Sequence, residues 1–207
     1  TLGRHGATVV VHYNESESGA ADVAKGIVAA GGRAKAIGAD LEQRQGPADL
    51  MADVISEFGG LDLLVNSAAI MVKTPFGGVS VEDWDRMFAI NLRAPFFLAQ
   101  LAAPYLRRAK GVIVNIADMA GFETWGGYIP HGISKGGVVK MTRGLASALA
   151  PDVRVNAIAP GNVLPPVGWS EKDAARLNDT TPLKRWGSPD DVAKAMLFLV
   201  ESDYITG

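Results

Sequence analysis

The sequence predicts an α/β fold in which a parallel sheet lies between helices on both faces. Three observations lead there. Five short runs rich in β-branched residues recur along the chain, each nearly continuously apolar, as strands covered on both faces must be. Longer stretches with helical periodicity separate them, the alternation expected of βαβ units. The chain has 207 residues, 48% of them hydrophobic, which is enough for one domain with a substantial core and too few to expect two.

Taken in order, the predicted strands are Ala7 to Tyr13, Ala34 to Ile37, Leu61 to Asn66, Val112 to Ile116 and Val153 to Ile158. The predicted helices run from Ser18 to Ala30, Pro47 to Phe58, Val81 to Arg108, Pro130 to Ala150 and Pro189 to Glu201. Ser188 before Pro189, Asp190 and Asp191 is a strong start signal: a hydroxyl acceptor, a proline at the first helical position and carboxylates against the helix dipole. Ser80 with Asp83 is a weaker version of it. Leu2 to Gly6 read as the last turn of a helix with glycine exits, and Tyr204 to Gly207 stand where another strand would begin. The expectation is therefore one domain over 1–207, cut at both ends. It lacks a first βα unit whose strand would sit between strand pairs and whose turn would cradle a pyrophosphate.

A formal net charge of -2 gives no electrostatic excess for nucleic acid or anionic lipid, so neither is expected as a partner. With no cysteine there is no disulfide frame and no thiolate metal site, and His5, His12 and His131 are too scattered for a local metal motif. No run reaches the roughly 18 to 20 apolar residues needed to span a bilayer, and the start has no signal-peptide pattern. A cytoplasmic protein is the expectation.

The chemistry-bearing motifs follow one another in a definite order. Asp62-Leu63-Leu64-Val65-Asn66-Ser67-Ala68-Ala69 ends a strand in small residues. Ile90-Asn91 lies in a long helix, Val114-Asn115-Ile116 closes a strand, and Ser134-Lys135 lies in the next helix. Arg154-Val155-Asn156-Ala157-Ile158-Ala159-Pro160-Gly161 and Arg185-Trp186-Gly187-Ser188-Pro189-Asp190-Asp191-Val192-Ala193 follow, with Ile205-Thr206-Gly207 at the end. In order and spacing this succession resembles the short-chain dehydrogenases/reductases, nicotinamide-dependent oxidoreductases on a Rossmann sheet.

That resemblance implies a catalytic tyrosine four residues before the lysine and a serine thirteen residues before the tyrosine. Here the two positions hold His131 and Asp118. Aspartate at the serine position is similar to the pteridine reductases, as are Val11-His12-Tyr13-Asn14 and Pro160-Gly161-Asn162-Val163-Leu164; the histidine is not. His131 and Lys135, at i and i+4, stand on one helix face continued by Val138 and Thr142. An imidazole with an unperturbed pKa of about 6.5 exchanges protons near neutrality more readily than a phenol at about 10, so it needs no lysine to activate it. The resemblance then assigns Lys135 to the cofactor ribose, Asn91 to a proton relay and Asp118 to orienting the substrate. Tyr128, just outside the helix, is an alternative acid. Each residue also has a plain structural reading: His131 as a capping or surface residue, Asp118 as a turn residue, Lys135 as solvated, and Asn91 as a helix-kinking polar residue.

The cofactor expected is NADP, with NAD possible. The end of the strand Ala7 to Tyr13, the second of the expected sheet, carries Tyr13 where an acid would select NAD, and His12, Tyr13, Asn14 and Ser16 offer donors to a 2'-phosphate. Asp40 and Leu41 match the family's adenine-contacting pair. Asn66, Ser67 and Ala68, together with Lys135, Pro160 and Gly161, complete the expected cofactor set. Gly132-Ile133-Ser134-Lys135-Gly136 also fits the G-x-S-x-G pattern of a hydrolase elbow, but it reads as helical and is far from its strand. Gly132, Gly136, Gly137 and Gly144 are costly in a helix interior, and close packing of another helix is the expected compensation. In the family this region forms a dimer interface, so a homo-oligomer, a dimer or tetramer, is implied. The segment from Asn162 to Thr181 reads as an irregular lid. The function expected is hydride transfer to or from a small carbonyl or imine, pterin-like by analogy; the alternative is a nucleotide-binding protein on the same frame without turnover.

Overall fold

The computed structural model describes residues 1–165, 170, 177–178 and 181–207. Its strands are β1 (Thr8–Tyr13), β2 (Arg33–Gly38), β3 (Leu63–Asn66), β4 (Val112–Ile116) and β5 (Arg154–Ile158). All pairings are parallel. They form two sheets, β1-β2 with Thr8 opposite Arg33, and β3-β4-β5 with Leu63 opposite Val112 and Val112 opposite Arg154. Among the described residues no strand bridges β1 and β3. The strand ends lie within two residues of the sequence expectation. Leu2–His5 form a single 3-10 turn, closed by Gly6 at φ 85, a left-handed exit that suits glycine.

Among the described residues the long α-helices are α1 (Glu17–Ala29), α2 (Gly46–Phe58), α3 (Val81–Phe88), α4 (Ala94–Ala109), α5 (Ile129–Leu149) and α6 (Pro189–Glu201). α1 packs on β1 and β2, α2 on β2 and α4, α4 and α5 on the second sheet, and α6 on β4 and β5. The core joins the two sheets: Ile37 of β2 belongs to one apolar cluster with Leu50, Met51 and Val54 of α2, Leu98 and Leu106 of α4, and Ile113 and Val155. Ala94, Ala99 and Ala102 are fully buried, small enough for α4 to lie close to its neighbours. α6 begins with the full reciprocal cap, Ser188 Oγ accepting from Asp191 N–H and the Asp191 carboxylate accepting from Ser188 N–H.

Two expectations are corrected. The helix predicted from Val81 to Arg108 is three pieces, because a π-helical turn, Ala89–Arg93, separates α3 from α4. Pro95 has no N–H to give the carbonyl of Asn91 four residues back, and Ala94 N–H reaches instead to Ala89 O, five residues back. The glycines of α5 do not face another helix as a set. A Cβ on Gly132 would lie 3.0 Å from Ala120 O and one on Gly136 3.5 Å from Gly121 O, so both face the 3-10 turn Met119–Gly121. Gly137 faces the Leu92 side chain, and at Gly144 no atom lies within 4 Å of the added Cβ.

The tail runs beside β5. Gly207 N–H donates to Val155 O at 2.8 Å, Val155 N–H donates to Thr206 Oγ1, and Asn156 Nδ2 donates to Ile205 O. Most of the lid expected between Asn162 and Thr181 lies outside the described residues.

Candidate active site

The first turns of α5 bury His131, Ser134, Lys135, Val138 and Thr142, the i, i+3, i+4 spacing of one helix face. That face meets the carboxyl end of β4. Asp118, two residues past β4, is held in extended backbone at the start of the Met119–Gly121 turn, and its Oδ1 accepts Ala120 N–H at 2.7 Å. Its Oδ2 lies 3.6 Å from His131 Nε2, too long for a direct hydrogen bond but close enough to act electrostatically. His131 is 2% exposed, and its Nε2 is a buried nitrogen without a hydrogen-bond partner. Its Nδ1 lies 3.2 Å from Ile70 O.

Lys135 is 5% exposed and donates to Ile116 O at 2.9 Å. One hydrogen of an ammonium is thus used, and such a group has three. Burial pushes the Lys135 amine below its ordinary value of 10.5, opposed by the nearby Asp118 carboxylate. Burial pushes the Asp118 carboxyl up, but the His131 ring, the Ala120 N–H and the charges of His131 and Lys135 outweigh it and hold it below 3.8.

Asn91, in the π turn, is 1% exposed. Its Oδ1 accepts Ile70 N–H at 2.8 Å, and its Nδ2 donates to Ile70 O at 2.9 Å and to Ser134 Oγ at 3.1 Å. Ser134 Oγ donates in turn to His131 O and is fully buried, so the G-x-S-x-G serine is a structural link inside α5, not an exposed nucleophile. A second buried chain ties sheet to helix: Asn66 Nδ2 donates to Asn115 Oδ1, Asn115 Nδ2 to Thr142 Oγ1, and Thr142 Oγ1 to Val138 O. Tyr128 is the residue just before α5, and its ring meets Trp125 edge to face.

The residues expected at a cofactor divide. Asn14, Ser16, Ser67 and Ala68 are exposed at the carboxyl ends of β1 and β3. Tyr13 lays its ring over Gly38, where a Cβ would come within 2.9 Å of it. His12 is committed to the chain itself, its Nε2 2.8 Å from Ala39 O. Asp40 Oδ1 accepts Glu42 N–H in a tight turn, and the Leu41 side chain lies in the apolar core. Asn66 is buried and used by Asn115, whereas Pro160 is half-buried and Gly161 faces Met119, whose Sδ would be 3.3 Å from an added Cβ.

Sequence reasoning brought together Asp118, His131, Lys135 and Asn91, and the structure places these four around one corner of the fold. It missed Ile70, because what Ile70 contributes is a peptide group and its side chain carries no signal. It also missed Thr74, whose Oγ1 is buried without a partner while its N–H donates to Gly127 O beside α5.

Residues 1–207 match the family model described as enoyl-(acyl carrier protein) reductase. A 3beta-hydroxysteroid dehydrogenase from Eggerthella lenta is 34% identical over 216 residues, covering 100% of this chain and 82% of that protein. The fold overlays a short-chain dehydrogenase/reductase from Serratia marcescens with a TM-score of 0.92 at 30% identity, over 99% of this chain and 85% of that one. It overlays the angucycline C-6 ketoreductase LanV, solved with bound NADP, with a TM-score of 0.91 at 29% identity, over 99% and 84%. With a Rossmann-like fold and a match to the family model over residues 1–207, this chain belongs to the short-chain dehydrogenases/reductases, a family of oxidoreductases.

Proposed function

We propose that this protein is an NADP(H)-dependent reductase of a small carbonyl or imine, with His131 exchanging the proton. The observation that carries the proposal is the unpartnered Nε2 of a 2% exposed histidine, beside a carboxylate and on the same helix face as a buried lysine. Buried polar atoms are nearly always satisfied, and an exception calls for a functional reason.

The residues present fit a dinucleotide in their chemistry. Lys135 keeps two ammonium hydrogens for ribose hydroxyls, Ser67 and Ala68 are small and exposed at the end of β3, and Asn14 and Ser16 are exposed donors at the end of β1. Tyr13 stands where an acid would repel a 2'-phosphate, which favours NADP over NAD, with the exposed Glu15 two residues on as the carboxylate that counts against it. When bound, NADPH supplies the hydride that the substrate carbon accepts. His131 gives its Nε2 proton to the substrate oxygen or nitrogen as that atom gains negative charge, and then recovers a proton from solvent. Asp118 is the counter-charge to the imidazolium and orients the substrate; a carboxylate accepts N–H groups, which suits the pterin-like substrate suggested by resemblance. For a homo-oligomer we take the contact face to be the apolar groove of about 870 Å³ lined by Phe88, Leu92, Phe96, Met141 and Leu145.

Replacing His131 with Ala is expected to abolish NADPH oxidation, and replacing it with Tyr to retain part of it. An unimpaired Ala variant would move the acid role to Tyr128 or solvent. Nucleotide binding with no turnover across pterins, quinones, ketones and aldehydes would favour the alternative, a binding protein without turnover, which the very low exposure of His131 also fits.

A further inference from the structure

We infer that Asn91 is a positioning residue that sets the tautomer of His131, acting through the Ile70 peptide without touching the imidazole. The inference rests on the reading of His131 as the proton-exchanging group.

The Asn91 amide has only one orientation that works. Ile70 N–H can only donate and so must face Oδ1, at 2.8 Å, while Ile70 O can only accept and so must face Nδ2, at 2.9 Å. The second Nδ2 hydrogen is taken by Ser134 Oγ, whose own hydrogen goes to His131 O. Each side-chain hydrogen in this group thus has a single assignment. Ile70 follows β3 in a stretch without regular structure, and among the described residues its N–H and C=O are held by Asn91, with His131 Nδ1 as the one further partner of the C=O.

Ile70 O then receives two groups, Asn91 Nδ2 and His131 Nδ1 at 3.2 Å. A carbonyl oxygen only accepts, and two donors match its two lone pairs. His131 Nδ1 therefore carries a hydrogen in both the neutral and the charged ring, and Nε2 is where the proton comes and goes. The competing arrangement is near at hand. The Asp118 carboxylate, 3.6 Å from Nε2, favours a neutral ring with hydrogen on Nε2 and a bare Nδ1. Such a ring is tied to Asp118 and has no lone pair at Nε2 to take up a proton. Asn91 holds Ile70 O in place and so tips the balance toward Nδ1–H. The role resembles that of any group that fixes a catalytic imidazole's orientation by its second nitrogen, but here the orienting group is a peptide, held by a side chain from another helix.

The test is nitrogen NMR of the full chain labelled with 15N-histidine. Only His5, His12 and His131 are present, and the His131 signals are those lost in His131→Gln. In the unsubstituted protein the neutral His131 ring is expected as Nδ1–H. In Asn91→Ala it is expected to shift to Nε2–H, with kcat falling about 10-fold or more and KM little changed, the pattern of a mis-set tautomer. If Asn91→Ala does not fold, Asn91→Asp keeps the oxygen that accepts Ile70 N–H, loses the donor to Ile70 O, and is expected to show the same shift. An Nε2–H ring in the unsubstituted protein, or an Nδ1–H ring surviving in the folded variant, overturns the inference. An Nδ1–H ring in a chain that reduces no substrate overturns the reductase reading and leaves the positioning role intact.

Discussion

Gly132 separates two effects that act in opposite directions. Substituting Ala for Gly within a helix gains about 1 kcal/mol from backbone entropy and propensity. At Gly132 that gain meets a clash, since the new Cβ would stand 3.0 Å from Ala120 O, about 0.5 Å inside the usual contact distance. The oxygen belongs to main chain that cannot easily yield: Ala120 N–H is held by Asp118, and Gly121 already lies against the Lys135 and Gly136 backbone. Overpacking of this kind costs about 1–3 kcal/mol, so Gly132→Ala should fall between neutral and about 2 kcal/mol destabilising. Gly26 in α1 has nothing within 4 Å of an added Cβ and provides the comparison: Gly26→Ala should stabilise by about 1 kcal/mol, or roughly 2–4 °C in Tm for a chain of this size. Because any relief at Gly132 carries the Asp118 turn away from α5, its 3.6 Å approach to His131 should lengthen and kcat should fall by roughly 10-fold. Calorimetry and NADPH oxidation read the two effects separately. If Gly132→Ala were as stabilising as Gly26→Ala with kcat unchanged, the packing of the turn on α5 and its role in placing Asp118 would both be wrong.

Thr142→Val removes the acceptor of Asn115 Nδ2 inside a wholly buried chain and should cost about 1–3 kcal/mol by denaturant unfolding. Combined with Asn115→Ala its cost should be well under the sum of the two singles; full additivity would show that the chain is not a unit. Asp118 has a folded pKa below its ordinary 3.8, so its contribution to stability is fully present above the ordinary carboxylate range and is lost as pH falls through the folded value. The stability gap between the unsubstituted protein and Asp118→Asn should therefore be flat near neutrality and close in acid, and a gap that widens on acidification would reverse the assigned sign.

The succession of apolar runs and helical stretches was enough to place each of the five described strands within two residues, because a strand buried on both faces writes its burial directly into composition. Spacing was equally sufficient to put His131 and Lys135 on one face of α5, since i and i+4 neighbours follow from helix geometry alone. The helix from Val81 to Arg108 could not be read correctly in the same way. Its break depends on the missing N–H of Pro95 and on the attachment of Asn91 to a loop twenty-one residues earlier in the chain, and no local propensity contains the second.

The sequence by itself determined the fold class, the family pattern and which polar side chains were available. Tertiary structure alone decided how they are used: His12 and Asp40 turn to nearby main chain, Leu41 joins the core, and Asn91 reaches the His131 ring by way of the Ile70 carbonyl and the His131 main chain by way of Ser134. The physical reason is that burial and hydrogen-bond partnership are properties of groups far apart in the chain. A residue letter states what a side chain can donate or accept, and only the folded backbone states what stands opposite it.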